Sequence, residues 1–79
     1  MSARVTLYTR PGCHLCDDAR LVIAQVCAEV GERFEEVDIT GSEDLLARFA
    51  EEIPVTFVDG EQHDYWRVDP ARLRAALGG

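Results

Sequence analysis

Apolar residues recur along this chain with two different periods, and the switches between them mark out its elements. Residues 4–9, Arg-Val-Thr-Leu-Tyr-Thr, alternate β-branched and aromatic types in the manner of a strand, and Arg10-Pro11-Gly12 ends it. From Cys13 to Val30 the period changes. Leu15, Ala19, Val22, Ile23, Val26, Cys27 and Val30 recur three or four residues apart, which predicts a helix with one apolar stripe, and Gly31 is a suitable stop.

Residues 34–39 form a second strand candidate, with Phe34 and Val37 set among acids. A second helix then opens near Thr40, whose pairing with Glu43 fits a capping box, or at Ser42, the competing N-cap; Leu45, Leu46 and Phe49 form its stripe. Residues 53–58 read as a strand with Pro54 at its start, where a missing N–H is tolerated, and Asp59-Gly60 is a hairpin signal. The return strand spans residues 62–68. It places Tyr65 and Trp66 on opposite faces, one in the core and one on the rim of a groove. Asp69 as N-cap and Pro70 at the first helical position open a last helix, which carries Leu73 and Leu77 and stops at Gly78-Gly79. The order is βαβαββα. Helical crossovers imply a parallel first strand pair and the hairpin an antiparallel later pair, so the fold class is α/β with a four-stranded mixed sheet flanked by three helices.

Length limits the core. Seventy-nine residues make a single domain, 1–79, that buries only about 60% of its unfolded surface. All eight bases are arginine and fifteen acids oppose them, for a net charge of −7 with no basic cluster, so nucleic acid is not an expected partner. No apolar run approaches the ~20 residues of a membrane span, and the first nine residues do not form an export signal. The expected location is the cytoplasm.

Cysteine carries the candidate chemistry. Of three cysteines, Cys13 and Cys16 stand in a Cys-x-x-Cys spacing. A bridge between them closes a four-residue loop worth roughly 2 kcal/mol, too local to hold the fold together, so redox chemistry or metal ligation explains the pair better than scaffolding does. At the junction of first strand and first helix, Cys13 meets unpaired N–H groups and the positive end of the helix dipole, which favour an anion, and Arg10 adds a cation. Cys16 lies one turn on, along the same side. Cys13 is therefore the exposed nucleophile and Cys16 the buried resolving thiol. His14 between them is a tuning candidate, whereas Asp17 and Asp18 oppose a thiolate. Prolines such as Pro54 at a strand start can be cis, which leaves the backbone groups of Ile53 free to pair with an extended ligand.

The Cys-x-x-Cys after a first strand, the Ile53-Pro54 before a third and the βαβαββα order resemble the thioredoxin superfamily. The short length and the segment Tyr-Thr-Arg-Pro-Gly-Cys-His-Leu-Cys resemble glutaredoxins, and more closely bacterial glutaredoxin-like proteins with Cys-His-Leu-Cys. This resemblance covers nearly the whole chain. It implies thiol-disulfide exchange, with Cys13 attacking a substrate disulfide, Cys16 releasing the product and a cis Pro54 against the pair. It also implies a redox-active Cys13-Cys16 disulfide with no bound cofactor, and substrate binding by Arg10, Ile53, Pro54 and Asp69. Where glutaredoxins carry a Gly-Gly before this Asp, the chain has Tyr65 and Trp66, which would fill the space the glycines leave open. Glu51 and Glu52 further oppose an anionic tripeptide. The electron donor is then glutathione, another small thiol, or a reductase of the thioredoxin reductase type, and the partner is a disulfide-bearing protein or a low-molecular-weight thiol.

Plainer readings stand beside these. Cys27, on the helix stripe, is a packing thiol. His63, near the hairpin, is a solvated residue. The acids form a solvated surface, or alternatively select a basic protein partner. Zinc needs four ligands, which Cys13, Cys16 and His14 do not supply in a monomer, the expected state; a dimer pooling two pairs around zinc or an iron-sulfur cluster is the metal-binding alternative. A redox-inert interaction protein is the third.

Overall fold

The structure, a computed structural model, describes residues 3–78, so Gly79 of the expected helix stop and the first two residues of the segment read for an export signal lie outside it. Its elements are β1 (Val5–Thr9), α1 (His14–Val30), β2 (Phe34–Asp38), a 3₁₀ turn (Ile39–Gly41), α2 (Glu43–Phe49), β3 (Val55–Val58), β4 (Glu61–Tyr65) and α3 (Pro70–Ala76). The four strands form one sheet in the order β2-β1-β3-β4. β1 pairs parallel with β2 through the α1 crossover, antiparallel with β3, and β3 pairs antiparallel with β4. Both central strands are the apolar ones, and the acid-rich β2 and β4 take the edges.

Alternation along β1 sends its side chains to two cores. Val5 and Leu7 pack with Ala19, Ile23, Val26 and Cys27 of α1, with Leu73 and Leu77 at the α3 end, and with Val58. On the other side, Tyr8 joins Phe49 of α2, Ile39, Val55 and Phe57. The rings of Tyr8, Phe49 and Phe57 meet at centroid separations of 4.9, 5.4 and 5.7 Å, within the range of favourable tilted and edge contacts. Only the first turn of α1, through Cys13 and Cys16, belongs to this second core.

Ion pairs tie the edges to the centre. Arg4 reaches both oxygens of Asp59 at the hairpin, Glu32 after α1 and the carbonyl of Leu77. Arg20 of α1 forks onto Glu36 of β2 at 2.6 and 2.7 Å. That guanidinium, with the hydroxyl of Thr9, holds the Glu36 carboxyl below its ordinary range. Several acids expected as free surface, Glu36, Asp59 and Asp64 among them, are thus paired with arginines, and Glu29 pairs with Arg74.

The structure decides between two readings at one place and corrects the reading at three others. The N-cap of α2 is Ser42, whose Oγ accepts the N–H of Leu45, while Thr40 sits in the 3₁₀ turn bonded to Asp38. β4 ends at Tyr65, three residues earlier than expected. Trp66 turns to φ 63, a left-handed conformation that stops the strand, so Tyr65 and Trp66 do not divide between core and rim: both are about half exposed and pack edge to face at 5.1 Å. His63 is not solvated. It falls at an irregularity in the β3–β4 register, which turns its imidazole inward to 13% exposure with Nε2 at 3.8 Å from Asp64. Cys27 is buried, as a packing thiol should be.

Candidate active site

The chain leaves β1 at Thr9 and must reverse into α1 within four residues. Gly12, at φ 76, takes the left-handed step this requires, and Cys13 then adopts the extended N-cap conformation. Its Sγ accepts the backbone N–H of Cys16 at 3.2 Å, and its carbonyl accepts that of Asp17. A sulfur therefore occupies the capping place usually held by a Ser or Asp oxygen. That bond fixes the sulfur at the mouth of α1.

Cys16 is the opposite kind of thiol. It is 1% exposed, whereas Cys13 is half-buried and reachable. Burial first, then the hydrogen bond with Cys13, pushes the Cys16 thiol up to about 12, against a smaller pull from the Arg10 backbone amide. At neutral pH it stays protonated. Iodoacetamide at pH 7 should accordingly modify Cys13 at least about a hundredfold faster than Cys16. Cys27, raised by the same burial, should remain unmodified. Peptide mapping of the alkylated protein reads the order, and equal labelling of Cys13 and Cys16 would contradict the geometry. A proton held this tightly also makes stability pH-dependent: it is fully present below the unfolded thiol pKa of about 8.5 and is lost as pH rises towards the folded value.

Ile53 and Pro54 are both buried, their peptide bond is cis, and Ile53 packs in the same cluster as Cys13 and Cys16. The other named residues are placed differently. Arg10 is exposed, with no side-chain hydrogen bond or ion pair among the described residues, and His14 is exposed as the first residue of α1. Asp69 caps α3, its Oδ1 accepting the N–H groups of Ala71 and Arg72 at 2.9 and 3.3 Å. No group of three or more His, Cys, Asp or Glu among the described residues could hold a metal ion, and no described helix is long and apolar enough to cross a membrane.

Sequence reasoning missed how firmly Trp66 is built in. Its N–H donates to the carbonyl of Pro54 at 2.7 Å, and its indole Nε1 donates to that of Glu51 at 3.0 Å. The ring stands over a groove of about 180 Å³ between the β4–α3 segment and α1, with Leu15 on the far wall. Leu15, expected on the buried stripe, is 37% exposed and faces this groove. No local pattern signals either placement, because the carbonyls that bond Trp66 all lie more than ten residues away in sequence.

Comparison with known proteins agrees with this architecture. The glutaredoxin-like domain family (DUF836) matches residues 4–78. The uncharacterized protein Rv0508 of Mycobacterium tuberculosis is 38% identical over 79 residues, spanning 94% of this chain and 81% of its own. The crystal structure of protein XcR50 from X. campestris, 35% identical, superposes with a TM-score of 0.77 over 94% of this chain and 95% of that one. The holo form of glutaredoxin C1 from Populus tremula x tremuloides, at 20% identity and a TM-score of 0.59 over 96% and 84% of the two chains, shares the fold alone. With a family match running from the first strand to the last helix, the chain belongs to the glutaredoxin-like domain family (DUF836).

Proposed function

We propose that this protein is a thiol-disulfide oxidoreductase whose working pair is Cys13 and Cys16. The observation that carries the reading is the capping geometry: an accessible sulfur accepting a helix N-terminal N–H, with a second, buried and protonated thiol one turn behind it. The Cys13 thiolate attacks one sulfur of a substrate disulfide, forming a mixed disulfide and expelling the other sulfur as thiolate. Cys16 then loses its proton to solvent or to that departing thiolate and attacks Cys13. The S–S bond to substrate breaks, the substrate leaves reduced, and an internal Cys13-Cys16 disulfide remains. Two electrons have moved from the pair to the substrate.

The backbone of Ile53, in the cysteine cluster and outside β3, is suited to align an extended substrate segment by strand-like pairing. Arg10 and His14, both exposed beside Cys13, are the side chains that meet an incoming substrate or tune the thiolate, and Asp69 stands at the cap of α3. Disulfide-bearing proteins or small thiols are the partners. Glutathione, another small thiol or a thioredoxin reductase-type enzyme returns the electrons, in a reducing compartment such as the cytoplasm. The test is stoichiometric: reduced protein mixed with excess 2-hydroxyethyl disulfide should release two thiols and yield an internal disulfide that links the Cys13 and Cys16 peptides. Release of no thiol, or a bridge through Cys27, would remove the reading.

A further inference from the structure

Trp66 is held in a conformation that a bulky side chain adopts rarely. At φ 63 it occupies the left-handed region where glycine rests without strain, yet three hydrogen bonds fix it there: its N–H to the carbonyls of Pro54 and Glu52, and its indole N–H to that of Glu51. Those bonds hold the ring half exposed beside Tyr65. Strained residues that stay exposed near reactive groups are where function is stored. The ring faces Leu15, the residue immediately before Cys16, across a groove whose floor includes Val22 and Val68. A volume of about 180 Å³ is below the ~300–1,000 Å³ of sites that enclose a whole small-molecule ligand. It suits one apolar side chain.

Charge narrows the occupant further. Asp18 lines the groove with no ion-pair partner among the described residues, and Arg67 is the one cation in the lining. In a chain of net charge −7, this edge attracts a basic segment and repels an acidic one. Resting on the thiol-disulfide reading above, we propose that Trp66 is the specificity-determining residue of the site: with Leu15 it clasps an apolar side chain adjacent to the disulfide cysteine of an extended protein segment, while Asp18 and the negative charge of the chain as a whole favour a basic residue beside it.

Two cysteine peptides test this, one with Leu and Arg flanking the cysteine and one with Ser and Glu in their place, each as its mixed disulfide with thionitrobenzoate. Cys13 attacks the peptide sulfur and thionitrobenzoate departs, so its absorbance reports the rate. Each rate is divided by that of dithiothreitol with the same peptide, which removes intrinsic reactivity. Wild type should prefer the Leu-Arg peptide by at least about tenfold, the discrimination available to one apolar contact. That preference should collapse in Trp66→Gly and weaken in Leu15→Ala, while Trp66→Phe, which keeps a ring, retains most of it. Should Trp66→Gly fail to fold, Leu15→Ala and Trp66→Phe still read the same ratio. Equal reaction of wild type with both peptides, or an unchanged ratio in Leu15→Ala and Trp66→Gly, overturns the role of Trp66 and leaves the redox reading standing. If wild type reacts with neither peptide faster than Cys13→Ser does, the redox reading falls and the assignment goes with it.

Discussion

Serine in place of Cys13 should abolish disulfide reduction, with a loss of at least about a thousandfold in kcat/KM, since a serine hydroxyl remains protonated at neutral pH and is no nucleophile towards sulfur. The fold survives the change. Cys13 acts as an N-cap through Sγ, and a serine oxygen is among the best N-cap acceptors, so α1 keeps its first-turn bond to the N–H of Cys16. This separates chemistry from structure at one position: circular dichroism and thermal unfolding should match wild type within a few degrees while reductase activity towards insulin or a mixed disulfide disappears. Cys27→Ser, at a buried site with no part in exchange, should do the reverse, costing stability and sparing activity. A Cys13→Ser protein with appreciable turnover would mean that another thiol carries the reaction.

The largest loss of stability is expected at Ile23. It is fully buried where α1 crosses β1, packed with Val5, Leu7, Val26 and Leu73, so it joins the sheet to both helices of that face. Ile23→Ala removes three carbons from a close-packed core and should cost about 2–5 kcal/mol. In a domain this small that is a large share of the total, and it lowers Tm by roughly 10 °C or more. Leu21→Ala, two residues earlier on the same helix, is the control. Leu21 is 70% exposed, and its truncation should change stability by no more than about 0.5 kcal/mol. Thermal melts of the two variants side by side check both burial and the helical phase; comparable destabilisation by the two would contradict the packing.

How far these features could be read in advance follows from the range of the interactions that set them. The stripe of α1 obeys a local period, so the helix, its Gly31 stop and the position of Cys13 at its mouth were all visible in the order of residues. The hairpin was visible for the same reason: Asp59 and Gly60 supply the two positive φ angles that such a turn needs. The end of β4 was not visible. Tyr65, Trp66, Arg67 and Val68 continue a pattern that suits a strand, and what breaks it at Trp66 is a set of three carbonyls on the segment before β3, which local propensity does not register. His63 was misread as solvated because the register irregularity beside it, not its polarity, decides where it points. At the site, the accessibility of Cys13 and the burial of Cys16 were legible from spacing and helix phase. The groove was not, because it exists only where Leu15 and Trp66, far apart in the chain, come to line the same cavity.

The account stands on one covalent event, attack by Cys13 followed by release through Cys16, and interrupting it between the two steps tests it most directly. Reduced Cys16→Ser protein is mixed with excess peptide disulfide, quenched with acid, digested at low pH and examined by mass spectrometry. The prediction is a single peptide adduct per chain, disulfide-linked to Cys13, stable until an external thiol is added, while wild type under the same conditions carries no adduct and ends with Cys13 bonded to Cys16. An unmodified Cys16→Ser protein, or an adduct on Cys27, would contradict it.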